Sequence, residues 1–226
     1  NFASIEAAVE EGRTVYDNIL KIISFILPVN GGEALTVFAG MLFAAVIPIL
    51  PVQILWVNLV SSVALMLTLA FEPAERDIMS REPRPTGEKL LSKRLLVRIS
   101  VISFFNLLAT FGMFEFIWQT TDNLELARAA AVNTLVATEA FYLLSISRFI
   151  PSIFGRLRGE PGRIAYVPAI GIIAVIFVQY IFTQWQPMNT LFHTSPLNFM
   201  QIVGCLAVGL MVLIPALILR KYTPIK

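Results

Sequence analysis

Apolar residues dominate six runs, each long enough to cross a bilayer as a helix: residues 19–46, 52–71, 95–118, 129–147, 164–183 and 197–219. A spanning helix needs about 20 such residues. Residues 1–21 follow a different pattern. Ile5, Val9, Val15 and Ile19 are apolar, while Glu6, Glu10, Glu11, Arg13 and Asp17 are polar, at helical spacing. That pattern predicts an amphipathic stalk that extends the first membrane helix into water. A simple interfacial helix is the plainer alternative. The predicted fold is an all-α membrane protein, a six-helix transmembrane bundle forming a single domain over 1–226.

The breaks between runs are of two kinds. Ile47–Pro51 holds two prolines and no charge, which predicts a tight hairpin and antiparallel packing of the first two spans. Residues 72–94 are rich in both signs of charge, and Pro73, Pro83, Pro85 and Gly87 forbid a continuous helix. Mixed charge with proline predicts an ordered docking loop, with a plain solvated connector as the alternative.

Polar groups at mid-depth are few, so each matters. Pro28 removes a backbone donor, and Gly31 and Gly32 loosen the next turn. The expectation is a first helix with a broken midpoint, the place where transporters put ion sites. Asn30 and Glu33 share a face at i,i+3, as do Asn58 and Ser61, with Ser62 one position further round. Glu139 lies near the middle of the fourth span. Serine and asparagine serve as helix–helix glue in membranes. A carboxylate there is different: it costs about 2.5–3.5 kcal/mol even on the gentler scales. Asn30, Glu33, Asn58, Ser61, Ser62 and Glu139 are therefore the candidate ion ligands. Glu115, close to a helix end, can snorkel to water. The fifth and sixth spans have almost no polar groups in their middles and are expected to be packing helices.

Composition agrees. Of 226 residues 57% are hydrophobic and 14% charged, against about a quarter charged in soluble domains. This is an integral, multi-pass membrane chain in contact with a lipid bilayer. A net charge of +2 gives no nucleic-acid footprint. One cysteine, Cys205, and one histidine, His193, are too few for a disulfide or a thiolate–imidazole metal site. Of the 17 Lys and Arg, only Arg128 falls on the face opposite the others. The positive-inside rule then puts both ends and the charged loop in the cytoplasm, with Trp118 and Trp185 at the outer interface. The opening Asn1-Phe2-Ala3-Ser4 has no basic n-region and no initiating Met, and reads as a piece of something longer.

Four motifs carry a resemblance. They are N-F-A-S-I-E-A-A-V-E-E-G-R-T-V-Y-D-N at Asn1–Asn18, N-G-G-E at Asn30–Glu33, P-V-Q-I-L-W-V-N-L-V at Pro51–Val60 and F-E-P-A-E-R-D-I-M-S-R-E-P-R at Phe71–Arg84. With the Thr138–Glu139 pair, they resemble the C-terminal membrane half of P-type cation-transporting ATPases, closest in pattern to the calcium-pump-like bacterial branch. The resemblance implies the fifth to tenth membrane helices of an ATP-driven pump in a bacterial plasma membrane. It implies ion ligands at Asn30, Glu33, Asn58, Ser61 and Glu139, and a loop docked on a phosphorylation domain. It also implies partners within the same pump: the preceding membrane helices and the phosphorylation, nucleotide and actuator domains, where ATP and magnesium bind. Calcium is the leading transported cation, with others open. Where calcium pumps carry an aspartate this chain has Ser62, which suggests one ion per cycle or a different cation. No D-K-T-G or T-G-E motif occurs, so the enzyme activity belongs to the complete ATPase. A stand-alone passive transporter or membrane scaffold is the other reading.

Overall fold

The computed structural model describes residues 1–44, 46–75, 77–82, 91–159 and 163–222. Among them there are helices and no strands. The first span is α1 (Phe2–Ala39), continued by a π-helical turn at Gly40–Ala44. The second is α2 (Pro51–Trp56), a π-helical turn at Val57–Ser62, and α3 (Val63–Ala70). Then come α4 (Lys93–Thr121), α5 (Leu124–Ile146), the short α6 (Phe149–Leu157), α7 (Val167–Gln184), α8 (Gln186–Phe192), α9 (Phe199–Leu210) and α10 (Leu213–Tyr222). Six helical segments are long and apolar enough to cross a membrane, one for each apolar run of the sequence. At 38 residues, α1 is about 57 Å long. That exceeds a hydrocarbon core of about 30 Å.

Helix ends are written in the sequence. Ser92, Asn123 and Asn198 accept hydrogen bonds from Leu95, Leu126 and Gln201 amides, capping α4, α5 and α9. The bundle packs around α5. Its Ala127, Ala129, Ala130 and Ala131 are fully buried, and such small side chains let neighbouring backbones come close, the main source of cohesion between helices in lipid. Cys205 is buried on α9 against the Ala130 carbonyl.

The expectation of a broken first helix is overturned. α1 runs without interruption through Pro28. The Ser24 carbonyl, four residues earlier, is the one Pro28 leaves without a ladder donor, and the Tyr142 hydroxyl of α5 donates to it at 2.8 Å. Gly31 and Gly32 do not loosen the helix either. A Cβ at Gly31 would lie 2.3 Å from Ser103 Oγ, and one at Gly32 would lie 2.4 Å from Asn106 Cβ. They are contact points where α4 presses on α1. The proline rule holds instead at Pro215, where α9 gives way to α10 across Met211 and Val212. The fifth span is also more polar inside than expected. Gln179 accepts from Trp56 Nε1 at 3.2 Å and donates to Asn133 Oδ1 at 3.3 Å, and Thr183 donates to the same oxygen at 3.0 Å.

The first part of the charged loop is clamped to the N-terminal half of α1. Lys21 Nζ reaches Glu72 Oε2 at 3.0 Å, with 7% and 0% of the two side chains exposed. The other Glu72 oxygen accepts the Arg148 amide at 2.7 Å. Arg13 donates to the Ile78 and Arg81 carbonyls, and Asn18 to those of Ala70 and Glu72. Arg81 pairs with Asp17 and Glu75 as well as Asp77. Its guanidinium is pushed above its ordinary range, first by the Asp77 hydrogen bond, with Asp17 and Glu75 adding to it against partial burial. The order expected of residues 72–94 is thus present at Glu72–Glu75 and Asp77–Glu82. Arg76 and residues 83–90, with Arg84, Glu88 and Lys89, lie outside the described residues.

Candidate cation site

The second span supplies an irregularity that the sequence does not announce. Between Val57 and Ser62 the backbone is π-helical, and the Val63 amide bonds the Asn58 carbonyl five residues back. Such single turns recur at functional sites. The wider turn is held by its own side chains: Asn58 Nδ2 donates to the Ile54 carbonyl at 3.1 Å, and Ser61 Oγ to the Val57 carbonyl at 2.7 Å. Asn58, Ser61 and Ser62 are thereby presented toward α1 and α5.

Two carboxylates meet this turn from opposite sides. Glu33 of α1, 5% exposed, takes the second Asn58 Nδ2 hydrogen at Oε2, 2.9 Å away. Glu139 of α5, fully buried, takes the Ser62 hydroxyl hydrogen at Oε1, 3.1 Å away. Ser61 also lies near the Glu139 carboxylate. Each carboxylate keeps one buried oxygen, Glu33 Oε1 and Glu139 Oε2, with no hydrogen-bond partner among the described residues. Burying a charge without pairing is the most costly arrangement a polar group can adopt. An orphaned buried polar atom in a native fold calls for an explanation, an ion being one.

Five of the six candidate ligands, Glu33, Asn58, Ser61, Ser62 and Glu139, therefore come together. Asn30 does not join them; it is exposed on the outer side of α1. The i,i+3 relation with Glu33 leaves the two side chains about 60° apart around the helix, enough to put one inside and one out. The sequence reading passed over Asn106. Its Cβ packs on Gly32, next to Glu33, and its Oδ1 is buried without a partner among the described residues. It is the lone asparagine of the third apolar run, a signal that was available. Among the described residues no group of three His, Cys, Asp or Glu side chains is placed to hold a metal ion, so the donor set here is two carboxylates and neutral oxygens. Glu115 is half-buried and holds the Gln119 amide near the end of α4.

Six apolar helical segments, with two buried carboxylates of α1 and α5 meeting a π-helical turn between them, describe a polytopic membrane protein. The chain matches the family described as "Cation transporting ATPase, C-terminus" over residues 46–222, and it belongs to that family. It is 47% identical over 208 residues to "Cation-transporting ATPase pma1" of Synechocystis, covering 91% of this chain and 23% of that protein. It is 40% identical over 200 residues to "Probable cation-transporting ATPase F" of Mycobacterium tuberculosis, covering 88% and 21%. It is 32% identical over 226 residues to a "Calcium-transporting ATPase" of Bacillus subtilis, covering 98% and 25%. The chain thus spans about a quarter of the length of these relatives.

Proposed function

We propose that the chain is the cation-binding and translocating membrane module of an ATP-driven P-type pump, built as one transmembrane domain over 1–226. The observation that carries this is the carboxylate pair, Glu33 and Glu139, each with a buried oxygen lacking a hydrogen-bond partner, bridged by Asn58 and Ser62. Two buried carboxylates can offer negative charge to a cation, and the oxygen-only set suits a hard one. Calcium is the first candidate, since the Bacillus subtilis relative bears that name. With Ser62 adding no charge, the site is read as taking one ion per cycle.

The stalk and the clamped loop support coupling to a phosphorylation domain. Arg13, Asp17, Asn18 and Lys21 of α1 are tied to Glu72–Arg81, so a push on the loop is a push on the helix that bears Glu33. A passive scaffold has no use for such a linkage. In this reading both ends lie in the cytoplasm of a bacterial plasma membrane. The remaining helices and the phosphorylation, nucleotide and actuator domains belong to the same pump, which binds ATP and magnesium there. The test is ATPase activity of the complete pump in lipid with calcium, manganese, magnesium, sodium and potassium varied in turn, magnesium being kept at the level ATP needs. One cation should stimulate turnover saturably. A turnover indifferent to all of them would contradict the proposal.

A further inference from the structure

We propose that Tyr142 is a positioning residue for the cation site: its hydroxyl replaces the amide that Pro28 lacks and holds the Glu33 part of α1 in register with Glu139. The inference rests on the reading of Glu33 and Glu139 as the cation site. Pro28 lies inside α1, where a proline removes one ladder bond and crowds the carbonyl four residues back. That carbonyl, Ser24 O, accepts from Tyr142 Oη at 2.8 Å. Both residues are 1% exposed, out of reach of bulk water. A carbonyl can only accept, so the single hydroxyl hydrogen of Tyr142 goes to Ser24. The buried Arg98 guanidinium of α4 lies near the same hydroxyl. The ring is held by Phe25, stacked on it with centroids 6.2 Å apart. One turn further along, Ser103 Oγ of α4 donates to the Pro28 carbonyl at 3.0 Å.

Position gives this strut its consequence. Tyr142 follows Glu139 by three residues and shares its face of α5. Pro28 precedes Glu33 on α1. Prolines are the commonest cause of sharp helix kinks, and a kink here would swing Glu33 away from Glu139. The bond from α5 to Ser24 closes the weak point from the same helix that carries the second carboxylate.

The test uses the complete pump and reads the cation concentration giving half-maximal phosphorylation from ATP. Tyr142→Phe keeps the ring and removes the bond. It should raise that concentration roughly 5–30-fold, as for an orphaned buried acceptor. Pro28→Ala returns an amide to position 28 and should alone stay within about threefold of the parent. The double variant should recover to within about threefold as well, because the restored amide bonds Ser24 in place of the tyrosine. Phosphorylation from inorganic phosphate without cation measures folded pump in each variant. If Tyr142→Phe yields little folded pump, recovery of that yield by Pro28→Ala carries the same meaning. An unchanged half-maximal concentration in Tyr142→Phe, or a double variant as impaired as the single one, would overturn the proposal. Glu33→Gln runs alongside: unchanged cation dependence there removes the site reading, while coupling between positions 28 and 142 would still appear in the folded yield.

Discussion

Replacing Gly32 by alanine tests the contact that brings α4 against the site. The added Cβ would stand 2.4 Å from Asn106 Cβ, while one at Gly112 of α4 would meet nothing within 4 Å. Both changes gain the same helix propensity, about 1 kcal/mol for alanine over glycine. Their difference therefore isolates packing, and overfilling a tight contact costs about 1–3 kcal/mol. Gly112→Ala should be neutral to stabilising and Gly32→Ala destabilising. The assay is the temperature at which half of the complete pump is lost from the monodisperse peak in detergent micelles. At about 2–4 °C per kcal/mol for a domain of this size, the two variants should be separated by several degrees. The partner residues sharpen the test. Gly31→Ala meets Ser103 Oγ first, at 2.3 Å, with Ser103 Cβ at 3.1 Å, so Ser103→Ala should relieve much of its defect. Asn106→Ala should not relieve Gly32→Ala, because the obstructing Cβ remains. Equal midpoints for Gly32→Ala and Gly112→Ala would refute the close-contact reasoning.

Breaking the buried Lys21–Glu72 pair on one side, by Lys21→Met or Glu72→Gln, should cost about 3–5 kcal/mol, and the double variant less than the sum; strict additivity in the same thermal assay would count against coupling between them. Ser62→Asp adds a charged oxygen beside Glu139 and should lower the divalent-ion concentration needed for half-maximal phosphorylation of the complete pump by tenfold or so, as charge count sets affinity in such sites; a weaker or unchanged response would mean position 62 does not face the ion. In a cysteine-free background, a cysteine at Thr121 should be labelled by an impermeant thiol reagent from outside the cell and one at Ser80 only after lysis, both positions being exposed. The opposite pattern would invert the assigned orientation.

The helices were legible because membrane crossing is a matter of length and composition, and a helical segment long and apolar enough to span lies over each apolar run. Glu33 and Glu139 were legible for the same reason, since a carboxylate in such a run stands out. The course of α1 was not. Whether Pro28 breaks its helix depends on Tyr142, a residue 118 positions from Ser24 in the chain. Local propensity carries no trace of that partner. The π-helical turn at Val57–Ser62 contains neither proline nor glycine, so nothing in its composition separates it from ordinary helix. Asn30 stands apart from the other five because helical spacing gives a shared face only to within a wide sector, and the packing of α4 and α5 decides which edge of it is covered in this chain. In the loop, charge and proline foretold order. They did not reveal that Arg81 would gather Asp17, Glu75 and Asp77 around one guanidinium.

The central claim is that Glu33, Glu139 and the turn between them bind the transported cation, and Glu33→Gln tests it most directly. The substitution keeps the shape and an acceptor for Asn58 while removing the charge. In the complete pump, phosphorylation from ATP should lose its cation dependence, with phosphorylation from inorganic phosphate retained as evidence of an intact fold. Phosphorylation from ATP that still saturates at the parent's cation concentration would contradict the account and place the transport site elsewhere.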